Sequence, residues 1–221
     1  MFYNCYYLSS IPSALPATTL ADRCYNSMFY QVRGATTPPT IAAVELAEAC
    51  CENMFYGCRS LTSAPTIYAK TLATNCCKNM FYGCRSLTSA STLPATTLAN
   101  NCYDSMFNGC SSMVTAPALP ASTLATECYI SMFNGCTSLT GAPLLPAIEL
   151  VSGCYYMMFY NCTSLSSISA YFKEWNNENA TLLWVNGVAA NGEFTKSNKL
   201  RTITGNNYIP SGWNINTVII N

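Results

Sequence analysis

The stretch MFYGCRSLTSASTLPATTLANNCYDS, residues 80–105, decides the architecture, because the chain keeps returning to it. Its neighbours are MFYGCRSLTSAPTIYAKTLATNCCKN at 54–79, MFNGCSSMVTAPALPASTLATECYIS at 106–131 and MFNGCTSLTGAPLLPAIELVSGCYYM at 132–157. The pair Met-Phe recurs at residues 1, 28, 54, 80, 106, 132 and 158, with steps of 27, 26, 26, 26, 26 and 26. A fixed period of this length marks one small unit stacked on copies of itself, each covering its neighbour's apolar face. A residue type present in every unit is then expected to serve packing before chemistry.

Within one unit, Leu98, Ala99, Cys102, Tyr103, Met106, Phe107 and Cys110 stand at i, i+1, i+4, i+5, i+8, i+9 and i+12. This reads as the apolar stripe of a helix over roughly Thr97 to Asn108. Thr96 or Thr97 suits its N-cap and Gly109 its C-terminal stop. Met113-Val-Thr-Ala-Pro, matched by Leu87-Thr-Ser-Ala-Ser and Leu139-Thr-Gly-Ala-Pro, reads as a strand of three to five residues. Prolines 65, 117 and 143 each remove a ladder donor, so the sheet is expected to be short and broken. The predicted fold class is an α/β repeat solenoid, leucine-rich-repeat-like, of about seven 26-residue strand–helix units beginning near 1, 28, 54, 80, 106, 132 and 158. Because helices are wider than strands, the strands are expected on a concave side. The second unit carries Val32, Gly34 and Ala35 where others have Cys, Ser and Leu, and is expected to pack less well.

The units resemble a known family. MFYGCRSLTSA, with the following Leu-Pro-Ala-Thr-Thr-Leu-Ala and Cys-Tyr, is similar to the BspA-type leucine-rich-repeat proteins, over residues 1–170. The resemblance implies a surface or secreted protein of host-associated bacteria that binds matrix proteins or host cells. Ala90, Ala116 and Ala142 depart from it, standing where ordinary leucine-rich repeats place a second Leu.

Residues 171–221 differ in composition and are expected to form a small β-rich capping module after the 1–170 solenoid. All three Trp (175, 184 and 213) lie here, and Cys stops at Cys162. Residues 180–185 read as a strand, Asn186-Gly187 as a turn, and 192–196 and 217–220 as further strands. The opening MFYNC lies inside a repeat and carries no signal-peptide pattern, so the chain is expected to be a fragment or to be covered at that end.

Twelve of the fourteen Cys form two ladders: Cys24, Cys50, Cys76, Cys102, Cys128 and Cys154, then Cys5, Cys58, Cys84, Cys110, Cys136 and Cys162. All fall on the apolar stripe, which makes them structural, as small hydrophobes. There is no His to serve as a base and no CxxC, so neither a metal nor a cofactor nor cysteine catalysis is expected. Cys51 and Cys77, at the position held elsewhere by Tyr103, Tyr129 and Tyr155, are expected half-exposed, with a bond between them conceivable.

Only 9% of residues are charged, against about 25% in average proteins, and ten basic residues balance ten acidic ones. That balance gives no footprint for nucleic acid, and no apolar run is long enough for membrane insertion. The acids are scattered, so no catalytic pair emerges and the chain is not expected to be an enzyme. The expected function is a non-catalytic cell-surface binding or adhesion module. Thr62, Ser63, Thr88, Ser89, Thr115 and Thr140 are its candidate ligand-facing residues, offered to a host or matrix protein or a glycan. Self-association through the N-terminal repeat is a further expectation. The Tyr after Met-Phe (3, 30, 56, 82 and 160) could stack on sugars or pack at an edge. A structural spacer, or a phage tail-fibre or virion component, is the alternative.

Overall fold

The computed structural model describes residues 1–176 and 179–220. The repeats stack as expected, but the unit is not a strand and a helix. Among the described residues there is no helix, and the strands are β1 (Ala14–Leu15), β2 (Thr40–Ile41), β3 (Ser167–Ala170), β4 (Glu193–Ser197) and β5 (Asn214–Val218). The leucine-rich-repeat fold class falls with the helix, and so does the width mismatch from which a concave strand side was expected.

What replaces the helix is a ribbon of consecutive β-turns. Between Ala47 and Cys58, the N–H groups of Cys50, Glu52, Met54, Tyr56 and Cys58 each donate to the carbonyl three residues back, at 3.1–3.3 Å. The alternate N–H groups, of Ala49, Cys51, Asn53, Phe55 and Gly57, donate to Thr74, Cys76, Lys78, Met80 and Tyr82 of the next unit, at 2.7–3.0 Å. Half the donors thus close turns and half tie one coil to the next, so the buried backbone is satisfied without a helix or a regular sheet.

The physical reason was present in the spacing. The apolar pairs recur every four residues, and at 3.6 residues per turn a four-residue step overshoots by about 40°. Across 97–110 that drift turns the stripe by about 120°, out of any single helix face. The ribbon instead closes one four-residue cycle with a left-handed residue: Ala49, Asn53 and Gly57; Asn75, Asn79 and Gly83; Asn101, Ser105 and Gly109; Glu127, Ser131 and Gly135. Their φ values run from 48° to 72°. One such residue ends an α-helix, and the Asn and Gly that tolerate it supply most of them.

The expected strand at 113–117 shrinks to isolated parallel bridges, Ser63↔Ser89, Ser89↔Thr115, Thr115↔Gly141 and Gly141↔Ser167. Pro65, Pro117 and Pro143, each two residues after its bridge position, offer no N–H to extend the ladder. β1 and β2, three residues further along the unit than these bridges, pair over two residues.

Stacking places every core residue on its own counterpart. Phe2, Phe29, Phe55, Phe81, Phe107, Phe133 and Phe159 form one column with centroids 5.4–5.8 Å apart and planes within 10°. The Met column and both Cys columns are buried beside it from Met54 onward. In the second unit Val32 and Ala35 are buried like the residues they replace.

The tail continues the stack. Residues 180–185, expected as a strand, belong to another turn ribbon with left-handed Leu183 and Gly187. Tyr155, Met157, Phe159 and Asn161 donate to its carbonyls at Ala180, Leu182, Trp184 and Asn186. Trp184 extends the Phe column (6.2 Å from Phe159) and donates through Nε1 to the Tyr208 carbonyl. Here the bridge column widens into a parallel sheet, β3–β4–β5, in the register Ser167↔Glu193↔Asn214. The third tail strand therefore begins before the 217–220 segment expected for it.

Candidate functional site

In-register stacking turns each outward position of the repeat into a column. Thr62, Ser63, Thr88, Ser89, Thr115 and Thr140 are all exposed, but they lie in two columns. The first runs Thr36, Thr62, Thr88, Val114, Thr140 and Ser166, each N–H donating to the carbonyl of the unit before it. The second runs Ser63, Ser89, Thr115, Gly141 and Ser167 through the bridges. Each column thus has one rung without a hydroxyl, Val114 in the first and Gly141 in the second. Several hydroxyls also point back along the stack: Thr62 donates to the Thr36 carbonyl at 3.2 Å and Thr88 to Thr62 at 3.5 Å. That fixes the rotamer and leaves oxygen lone pairs and methyls facing solvent. Such a surface can accept hydrogen bonds and make van der Waals contact, and it carries no group that moves protons.

The Tyr position behaves differently from either expectation. Tyr3, Tyr30, Tyr56 and Tyr82 stack on one another at 4.6–4.7 Å. Both faces of Tyr30 and Tyr56 are consumed by neighbouring rings, so a sugar cannot lie flat on these two, while Tyr3 at the end of the column is more than half exposed.

The Cys columns are buried except at their first rungs, Cys5 and Cys24, and all the thiols are free. Cys58, Cys84, Cys110, Cys136 and Cys162 donate to the carbonyls of Phe29, Phe55, Phe81, Phe107 and Phe133 at 3.0–3.2 Å. Burial pushes the Cys58, Cys102 and Cys162 thiols up to about 12 and Cys154 to about 11. It holds Cys84, Cys110, Cys128 and Cys136 well above the ordinary value. A thiol held protonated is a poor nucleophile and a poor metal ligand. Cys51 and Cys77 are fully buried, not half-exposed. The Cys50 thiol lies 3.7 Å from that of Cys51, and this hydrogen bond together with burial holds Cys51 well above its usual range. Among the described residues no group of three or more His, Cys, Asp or Glu is placed to hold a metal ion.

A shallow surface groove of about 690 Å³ is lined by Val44, Glu45, Leu46, Tyr68 and the segment 70–73. A smaller one of about 330 Å³ adjoins it at Thr18, Thr19, Leu20 and Val44–Ala47. Tyr68 and Lys70 stand where the next units carry Pro94 and Thr96, then Pro120 and Ser122. Sequence reasoning passed over these departures because it weighed what the units share. The column Arg33, Arg59 and Arg85 was passed over for the same reason, although the 26-residue beat displays it directly.

Among the described residues no helix is long and apolar enough to cross a membrane. No family model matches the chain, and no curated protein and no solved structure is similar to it. The likeness to BspA-type repeats therefore rests on the quoted motif alone, and adhesion is supported by no relative.

Proposed function

We propose that this chain is a non-catalytic binding module, displayed at a cell surface or secreted, that engages a protein or glycan along its hydroxyl columns. The observation that carries this reading is the pair of exposed columns through Thr62, Thr88 and Thr140 and through Ser63, Ser89 and Thr115, whose backbone is held from unit to unit by hydrogen bonds. An ordered surface loses little conformational entropy on binding, which favours affinity from many weak contacts. The thiols of Cys58, Cys84, Cys110, Cys136 and Cys162, held protonated by burial, and the lack of histidine support a role without catalysis.

The test is a screen of fluorescently labelled protein against arrayed glycans and matrix proteins, beside a Ser63→Glu/Ser89→Glu variant. Binding by the parent and its loss in the variant are expected. A blank array for the parent would overturn the reading. A second reading, a structural spacer or virion component, draws on the Phe column that runs without a break into Trp184 of the tail. A blank array combined with self-association through the N-terminal repeat would favour it, and a gene position beside tail genes would assign it to a virion.

A further inference from the structure

Arg33, Arg59 and Arg85 occupy the same position of three successive units, and all three are exposed. Stacking brings them one above another, separated along the column by about one strand spacing, ~4.8 Å. The neighbouring Tyr30–Tyr56 and Tyr56–Tyr82 rings, three residues earlier in each unit, lie 4.7 and 4.6 Å apart and set the same step. Like charges directly opposite each other on adjacent strands are destabilising. Three in a row are notable in a chain with ten basic residues in all.

Among the described residues no carboxylate pairs with them. Among the described residues the ion pair present is Lys78–Asp104, and Arg59 and Arg85 make no hydrogen bond or ion pair through their side chains. The surrounding face has no acid within its units. From Met-Phe to the Ser/Thr pair, residues 28–37, 54–63, 80–89, 106–115, 132–141 and 158–167 contain no Asp or Glu. The first carboxylate on the adjoining column is Glu193, four rungs beyond Ser89. At one end the arginine is held in place: Gln31 Oε1 accepts from Arg33 Nε at 3.0 Å and Nη2 at 2.6 Å, and the guanidinium lies 4.7 Å from the Tyr6 ring centre. A recess of about 450 Å³ opens there between Tyr6, Tyr7, Arg33 and Gly34.

We propose that the Arg33–Arg59–Arg85 column, flanked by the Tyr hydroxyls on one side and the Thr62/Thr88 and Ser63/Ser89 hydroxyls on the other, binds a linear anionic polysaccharide carrying sulfate or uronate groups. The proposal rests on the binding-module reading and names its ligand class. Guanidinium groups suit sulfate and carboxylate, which they grip through paired N–H donors. The flanking hydroxyls match the hydroxyls of sugars. A single-stranded nucleic acid presents a similar charge array, but it draws affinity from bases stacked on open aromatic faces. The faces of Tyr30 and Tyr56, beside Arg33 and Arg59, are closed by neighbouring rings, which favours the glycan.

The experiment titrates the whole chain with a heparin oligosaccharide, with an uncharged dextran and with oligo(dT), each at low and at high salt. Arg59→Ser/Arg85→Thr is the key variant, since Ser111 and Thr137 already occupy this position in the next two units and the fold accepts them. Heparin should bind at low salt and weaken steeply as salt rises, because the contacts are exposed charge pairs. The double variant should lose about tenfold or more in affinity, in keeping with charge-assisted bonds, with an unchanged circular dichroism spectrum. Ser111→Arg/Thr137→Arg, which lengthens the column, should tighten binding. Absence of heparin binding by the parent, a double variant within about twofold of it, or oligo(dT) bound as well as heparin would each overturn the proposal. If array ligands still bind the double variant while heparin binding never appears, the anionic ligand class fails and the general binding reading stands.

Discussion

Units two to four (28–105) and units five to seven (106–170) share one backbone and one Phe and Met core, and they differ at two outer columns. Outside, the earlier block carries Tyr30, Tyr56 and Tyr82 with Arg33, Arg59 and Arg85. In the later block Asn108 and Asn134 fill the Tyr position before Tyr160 returns, and Ser111, Thr137 and Thr163 fill the Arg position. Inside, one column changes a unit earlier: Cys51 and Cys77 give way to Tyr103 in unit four and then to Tyr129 and Tyr155, stacked at 5.8 and 6.0 Å. The Phe and Met columns run through both blocks unchanged. A stack of this kind holds its core constant and varies single columns in runs. The outer run has a cost: two exposed like charges about 5 Å apart repel by roughly 1 kcal/mol even at the dielectric of water. A packing role does not explain that cost, whereas the inner exchange of Cys for Tyr is a packing exchange.

The largest expected effect bears on what the two blocks share. Cys58, Cys102 and Cys162 have an ordinary value of 9.0 and sit near 12 when folded. Between those values the unfolded chain releases protons that the folded chain keeps, so stability is full below pH 9 and falls as pH rises towards 12. Circular dichroism should report cooperative loss of the stack in that window. At neutral pH a maleimide should label Cys5 and Cys24 and spare the buried thiols. Labelling of Cys110 or Cys136 in the native protein would contradict the buried columns.

Next comes Phe107→Ala, at the junction of the blocks, which removes a ring held 5.5 Å from Phe81 and 5.7 Å from Phe133. It should cost about 3–5 kcal/mol in urea unfolding, and more than Phe2→Ala at the half-buried end of the column. A smaller effect tests the turn ribbon. Gly109, at φ 72°, approaches Gly83 in the unit before it, and an alanine Cβ there would lie 3.6 Å from the Gly83 Cα. Gly109→Ala should cost about 1–2 kcal/mol from the left-handed backbone. Gln31 already holds the same position at φ 60° in the second unit, so Gln31→Gly should be neutral or stabilising there. The smallest effect lies on the inner column. Tyr103, its first Tyr after Cys77, has a buried hydroxyl with no hydrogen-bond partner among the described residues. Tyr103→Phe should raise stability by about 1 kcal/mol, while Tyr155→Phe, whose hydroxyl is not so stranded, should not.

Stacking, the period and the inward side of each unit were legible in the sequence, because a repeat of 26 residues with the same apolar positions has to bury them on its own copies. The helix was misread at a definite place. The pairs 98–99, 102–103 and 106–107 with Cys110 follow a period of four, and treating it as 3.6 ignored the drift. Asn101, Ser105 and Gly109 fall on the same beat, and so marked left-handed turns. Residues 180–185 were misread as a strand because Leu-Leu-Trp-Val has β-forming side chains, while its partner, the ribbon at 153–161, lies about a repeat earlier in the chain. Of the candidate surface, Thr62 and its fellows were legible as polar and outward. Their division into two columns depends on register, whereas the 26-residue spacing of Arg33, Arg59 and Arg85 was legible in the sequence.

The sequence by itself determined that this protein is a stack and that its Met, Phe and most Cys positions face inward, since periodic burial is written into side-chain order; the burial of Cys51 and Cys77 and the exposure of Cys5 and Cys24 were not legible there. Only the tertiary structure decided what backbone the stack uses. Each alternate N–H of the ribbon bonds to a residue some 25 positions on, and a partner that distant is invisible to local propensity. The same long-range register makes three isolated arginines a line of charge.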